Sequence, residues 1–319
     1  MLVWSGFLIL VFLLLALDLG VFNRNPHEIS TKEALGWTVL WVSLSLAFSV
    51  FVYYGYENHW LGLGLEIGEP LSGKKAFIEY LTGYLIEQSL SIDNIFVIAM
   101  IFSYFRIPKQ YQHRVLFWGI IGALVFRAIM IFAGVLLIKQ FSWVNYIFGA
   151  ILLYSAYKML GGTHEADVDP NKNRLVALFK RFMPVVARFH GEHFFIRRMG
   201  VLAATPLFIA LLVVETTDVM FAFDSIPAIF AITTDPFIVF TSNIFAILGL
   251  RSLYFVLASI LDKFKYIQYS LVVILAFVGV KMILFHFEWP EWLSLVVIIG
   301  LLLIGVLASI WAEKREAKG

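Results

Sequence analysis

Nine long apolar runs take up most of this chain, at about 2–22, 34–54, 78–102, 115–137, 143–160, 202–230, 237–261, 267–287 and 292–312. A run of about 20 apolar residues is long enough to cross roughly 30 Å of hydrocarbon as an α-helix. Nine such runs with so few polar faces do not fit a soluble core. Composition agrees: of 319 residues, 61% are hydrophobic and only 14% charged, with a mean hydropathy of +0.87, where a soluble domain carries about 25% charged residues. The expected fold is therefore all-α, a polytopic membrane protein of about nine transmembrane helices. The first run, Leu2 to Val21, lacks a basic leader and a small-residue cleavage signal, so it reads as a retained span.

Lysine and arginine orient the spans, because cytoplasmic loops collect them. With the N-terminus outside, eighteen of the 24 basic residues fall on the inner side, eight of them between Lys158 and Arg198, and only Lys74, Lys75 and Lys139 fall outside. Arg127, Arg251 and Lys281 lie within spans. The expected topology is N-terminus out and C-terminus in. Lys158 and Lys281 read as end-of-helix residues whose amines reach the interface, and Asp18 as interfacial. In the basic loop, Val176, Phe179, Met183 and Val186 recur at helical spacing, the pattern of a short helix lying on the membrane surface, with Pro184 working against it. The HEADVD stretch, 164–169, reads as a solvated linker.

Two spans carry acids at membrane depth. In IEQSLSIDN, Glu87 precedes Asp93 by six residues; in ETTDVMFAFDSIP, Asp218 precedes Asp224 by six, with Glu215 one turn earlier. Each acidic span is followed by an arginine, Arg127 or Arg251, and then by a Lys-Met pair, Lys158-Met159 or Lys281-Met282. Spans 3–5 and 6–8 therefore read as two copies of one three-helix unit. Because three is odd, the copies run in opposite directions, a 3+3 inverted-topology repeat that places substrate between its halves. The organisation expected is two peripheral helices (1–77), a first repeat (78–160), a basic cytoplasmic loop (161–200), a second repeat (201–287), and a last helix with a cytoplasmic tail (288–319).

Intramembrane acids are costly and face partners, cavities or ion paths. Six residues turn a helix through about 600°, leaving the acids of a pair about 120° apart, while Glu87 with Asn94 and Asp218 with Ser225 share faces. Each span thus offers a broad polar wedge. Pro227 is expected to kink or break span 6, freeing backbone carbonyls, and Asn243 adds a further oxygen donor. The wedge supplies oxygen almost exclusively, since all seven histidines lie in loops or near span ends and there are no cysteines. Such a site suits hard cations such as Mg²⁺, Ca²⁺ or Mn²⁺. Five acids against Arg127, Arg251 and Lys281 leave two unmatched negative charges, which one divalent cation would neutralise. The competing reading makes the acids structural, paired with those bases. Arg127 and Arg251 themselves read as counter-ions, and Asn243 as either an oxygen that supports the ion's ligands from behind or an interhelical hydrogen bond.

The absence of cysteine excludes disulfides and thiol redox couples in this chain. No P-loop or HExxH motif occurs, so neither an ATP-driven pump nor a zinc protease is expected. The net charge of +2 is spread over short loops, and no nucleic-acid partner is expected. The chain does not read as an enzyme, and no catalytic cofactor is expected.

At the acidic spans the chain resembles the TerC family of integral membrane proteins, named for tellurium resistance, and within it the Alx-like branch. The resemblance is densest in LTGYLIEQSLSIDNIFV (81–97), EHFFIRR (192–198) and VETTDVMFAFDSIPAIFAITTDPFIVFTSNIFAILGLRSLYF (214–255). It implies a multi-pass protein of the bacterial inner membrane tied to manganese homeostasis, with Mn²⁺ efflux as the expected activity. By matching motif, Glu87, Asp93, Asn94, Glu215, Asp218, Asp224 and Ser225 carry over as ion-site residues. The resemblance also implies an alternative from another class: a metal-delivery or scaffold partner of secretion or membrane proteins that binds cations without moving them.

Overall fold

Each of the nine apolar runs contains a helix in the computed structural model, which describes residues 2–17, 29–65, 70–161, 174–186, 188–198, 200–257, 266–287 and 289–316. In chain order the elements are α1 (Leu2–Leu17), α2 (Thr31–Glu57), α3 (Gly73–Tyr104), α4 (Lys109–Gln140), α5 (Val144–Leu160), a short α6 (Arg174–Phe182), strands β1 (Phe195–Arg198) and β2 (Val201–Ala204), α7 (Pro206–Phe230), α8 (Pro236–Leu257), α9 (Ile267–Ile283) and α10 (Glu291–Glu316). Six of the helices are long and apolar enough to cross a membrane; α1, α5 and α9 are apolar but shorter. Asp18 and the 164–169 stretch lie outside the described residues.

The helix starts are written locally. Ser30 caps α2 by accepting from the Glu33 N–H at 3.3 Å, with Glu33 in the capping-box position. Ser72 caps α3 in the same way through the Lys75 N–H. At α8 the cap is Asp235, whose carboxylate accepts from the N–H groups of Phe237 (2.9 Å) and Ile238 (3.1 Å), while Pro236 occupies the first turn where no N–H is required.

Three expectations are corrected. A break at Pro227 does not occur: α7 runs through it and ends one turn later at Phe230. So near the C-terminus, proline costs only the hydrogen bond to the Phe223 carbonyl. Residues 201–204 are not helical but pair antiparallel with 195–198, from Phe195↔Ala204 to Arg198↔Val201, around Gly200 at φ +80°. This hairpin is the one departure from an all-α fold among the described residues. Finally, the amphipathic helix stops at Phe182, because Pro184 and Val186 instead bond to Ala204 along the hairpin edge.

Packing centres on α8, where every side chain from Phe237 to Ser252 is buried. Around it α3 lies against α8, α4 against α7, and α5 against α9 as the most extensive contact. Gly149 of α5 and Gly279 of α9 permit that last approach: a Cβ on Gly149 would fall 2.9 Å from the Gly279 carbonyl oxygen, and one on Gly279 3.1 Å from that of Gly149. Small residues at a crossing let backbones come together where lipid offers no hydrophobic drive. α1 closes one side of the bundle through Trp4 and Phe7, whose rings meet Phe237 edge-on at 5.2 and 5.9 Å.

Candidate cation site within the bundle

The buried acids divide into two groups with opposite solutions. In the first, Arg127 of α4, only 1% exposed, is the hub. Its Nη1 pairs with Glu87 Oε1 of α3, and its Nη2 and Nε reach Asp218 of α7 at 3.1 and 3.4 Å. Nη1 also donates to Ser225 Oγ and to Asn243 Oδ1, each at 3.4 Å. One guanidinium thus gathers side chains from α3, α7 and α8, the planar multi-donor role for which arginine is suited. Removing either partner of such a buried pair costs about 3–5 kcal/mol, because the other charge is stranded.

The second group has no arginine. Asp93 of α3 and Asp224 of α7 line one cavity of about 100 Å³ with Glu87, Asn94, Ser225 and Thr217, close enough for their charges to act on each other. The Ser155 hydroxyl of α5 donates to Asp224 Oδ1 at 2.5 Å, and Lys158, one turn further on, also lines the cavity. Two buried acceptors beside the cavity, Glu87 Oε2 and Asn94 Oδ1, have no hydrogen-bond donor. Buried acceptors are rarely left without a hydrogen-bond partner, so this cavity presents oxygen in excess of the donors the protein supplies.

The remaining residues fall around these groups. Glu215 stands apart on α7, its carboxylate laid over Gly122 of α4 so that no Cβ fits there, and its Oε2 is without a partner. Arg251, buried at 5%, lines a smaller void with Asp218 and Asn94. Lys281 donates to Ser294 of α10 at 2.9 Å. Among the described residues no three Asp, Glu or His side chains converge as a ready-made metal cage, and Arg127 sits between Glu87 and Asp218. Ser155 and Thr217 were not singled out in the sequence. Ser155 is a lone hydroxyl within an apolar run, a signal that occurs too widely to single it out, and Thr217 stands between acids beside a second threonine, Thr216, from which its spacing does not separate it.

The model of the integral membrane protein TerC family matches residues 72–317, a range that holds every side chain of both groups. The chain belongs to the TerC family. Its relatives there include a Myxococcus xanthus protein named uncharacterized membrane protein STKORF319, 51% identical over 96% of this chain and 91% of its own length. It is also 45% identical, over 99% of this chain and 96% of the relative, to a Salmonella typhi protein called Alx and provisionally described as a membrane-bound redox modulator. The Escherichia coli K12 protein of the same description is 44% identical over 99% of this chain and 97% of its own length. No solved structure matches the chain.

Proposed function

We propose that this TerC-family protein is a secondary carrier that exports a divalent cation, Mn²⁺ first among candidates, by alternating access through the Asp93–Asp224 cavity. The observation that carries the reading is the convergence of Asp93, Asp224, Asn94 and Ser225 from α3 and α7 on one cavity, beside acceptors that lack donors. Carboxylate, amide and hydroxyl oxygens without thiolate or imidazole suit a hard cation.

In this reading Glu87 and Asp218, held by Arg127, form the wall of the site, while Asp93 and Asp224 bind the ion directly. Glu215 is a further carboxylate available for ligation or proton coupling. Arg251 and Asn243 support the wall, with Arg127 as its counter-ion. The two trios α3–α5 and α7–α9 act as inverted halves. Support for that comes from the pairing of α3 with α8 and of α7 with α4, the exchange that a two-fold relation between the trios would produce. The basic residues favour a bacterial inner-membrane setting with the N-terminus outside and the C-terminus cytoplasmic.

The name of the Alx relatives refers to redox modulation. A thiol route to it is closed in this chain, which has no cysteine. The deciding measurement is flux by the purified protein in sealed liposomes, with Mn²⁺, Ca²⁺, Mg²⁺ and Zn²⁺ compared side by side. Mn²⁺ should move, and Asp93→Asn or Asp224→Asn should abolish the movement while leaving the protein monodisperse. Binding without flux would replace the carrier by a metal-delivery or scaffold protein.

A further inference from the structure

The geometry points to a second divalent-cation station at the end of the bundle where α3 meets the α7–α8 turn, with Glu79 as its anchoring carboxylate. This site shares no residue with the Asp93–Asp224 cavity. A separate cavity of about 360 Å³ opens there, lined by Glu79 and Lys75 of α3 and by Thr233, Thr234 and Asp235 of the turn.

Glu79 is 8% exposed, and its Oε2 has no hydrogen-bond partner. Its other attachment is the Thr233 hydroxyl, within hydrogen-bond reach of the carboxylate. A buried carboxylate oxygen that the protein leaves without a donor beside a polar cavity is an uncommon arrangement, to be met from the cavity by water or by a cation. The bases nearby do not supply one in excess. Lys75 is paired with Glu291 at 3.8 Å and Lys281 donates to Ser294. Of the charged side chains that line the cavity, the two carboxylates of Glu79 and Asp235 face the single ammonium of Lys75.

Two further features favour a cation. Asp235, although it caps α8 and accepts from the Tyr56 hydroxyl at 2.8 Å, still lines the cavity. The C-terminus of α7 ends at Phe230 on the cavity wall, and the carbonyls of a helix C-terminus carry partial negative charge. Two carboxylates and two threonine hydroxyls make a loose oxygen shell of the kind that holds a hard cation with part of its water. Glu79 lies eight residues before Glu87 on α3, about 12 Å along the axis. A cation held here would sit between the end of the bundle and the central cavity; its role as a way station rests on the carrier reading, its occupancy does not.

The test uses full-length protein carrying Asp93→Asn and Asp224→Asn together, which disables the central cavity. Mn²⁺ binding followed by electron paramagnetic resonance should persist weakly in this protein, and Glu79→Gln added to it should lower the affinity at least about tenfold, the loss expected on removing one charged ligand. As a second readout, the chain has no cysteine, so Lys74→Cys, at an exposed position of α3 outside the cavity lining, gives a single nitroxide position. Mn²⁺ should broaden that signal in the Asp93→Asn/Asp224→Asn protein with Glu79 intact. No residual binding, residual binding indifferent to Glu79→Gln, or a nitroxide blind to Mn²⁺ each overturns the station. Failure of the carrier reading would instead appear as absence of Mn²⁺ flux by the unsubstituted protein.

Discussion

Glu87 and Asp218 stand in the same six-residue relation to their neighbours as Asp93 and Asp224 do to theirs, yet the two sets meet different fates. Arg127 answers the first pair from within the chain, at 3.1 Å to Asp218. The second pair faces a cavity, with the Ser155 hydroxyl on Asp224 and Lys158 at the lining. One arrangement holds its acids on a guanidinium within the protein; the other leaves them along a cavity with a hydroxyl and a lysine beside them. On the proposed reading, that division separates a structural ion pair from a binding site.

The comparison breaks most severely at Arg127. Arg127→Met should destabilise the folded protein by about 3–5 kcal/mol, read as a lowered denaturation midpoint and poor recovery in detergent. Adding Glu87→Gln and Asp218→Asn to Arg127→Met should return much of that loss, since no stranded charge remains. Asp224→Asn should behave in the opposite way, leaving the denaturation midpoint close to that of the unsubstituted protein but weakening Mn²⁺ binding by about 10- to 100-fold, the equivalent of roughly 1.5–3 kcal/mol. If Asp224→Asn instead unfolds the protein, the distinction between the two acid pairs fails.

Smaller effects sharpen the picture. Gly122→Ala places a methyl where the Glu215 carboxylate lies and should cost about 1–3 kcal/mol of stability as an overpacked contact, unless Glu215 is shortened at the same time by Glu215→Asp. Ser155→Ala removes one donor from Asp224 and should change Mn²⁺ affinity only several-fold, on the order of 1 kcal/mol, measured by the same binding titration. An effect of Ser155→Ala as large as that of Asp224→Asn would mean that the hydroxyl, not the carboxylate, organises the cavity.

Much of the architecture was legible in the sequence because apolar length alone dictates helices here. Each of the nine runs corresponds to one helix, with ends shifted where a local residue intervenes: Pro206 starts α7 later than its hydropathy does, and Pro184 stops α6 early. The β1–β2 hairpin was not legible. Its FIRR and VLAA strands are four residues each, too short for alternation to register, and the second had been absorbed into the apolar run that follows.

The candidate site was legible in part for a geometrical reason. Spacing along one helix gives rotation about its own axis, so the shared polar wedge of Glu87, Asp93 and Asn94 could be read from 81–97 alone. Spacing does not tell which wedge a neighbouring helix meets. That Arg127 would lie between Glu87 and Asp218, and that Ser155 of α5 would reach Asp224, depends on how α4 and α5 pack. Glu79 carries no signal in the sequence, because a single acid near a helix end is ordinarily solvated; its 8% exposure comes from the folded α7–α8 turn.

α8 has neither lipid nor solvent against it from Phe237 to Ser252. A rod enclosed on every side has no face to which a displaced side chain can retreat, so its amide protons should be the last in the protein to exchange with deuterium. Any cycle that opened the bundle first to one compartment and then to the other would have to carry this element as a shielded strut, passing its load between the helices packed on it.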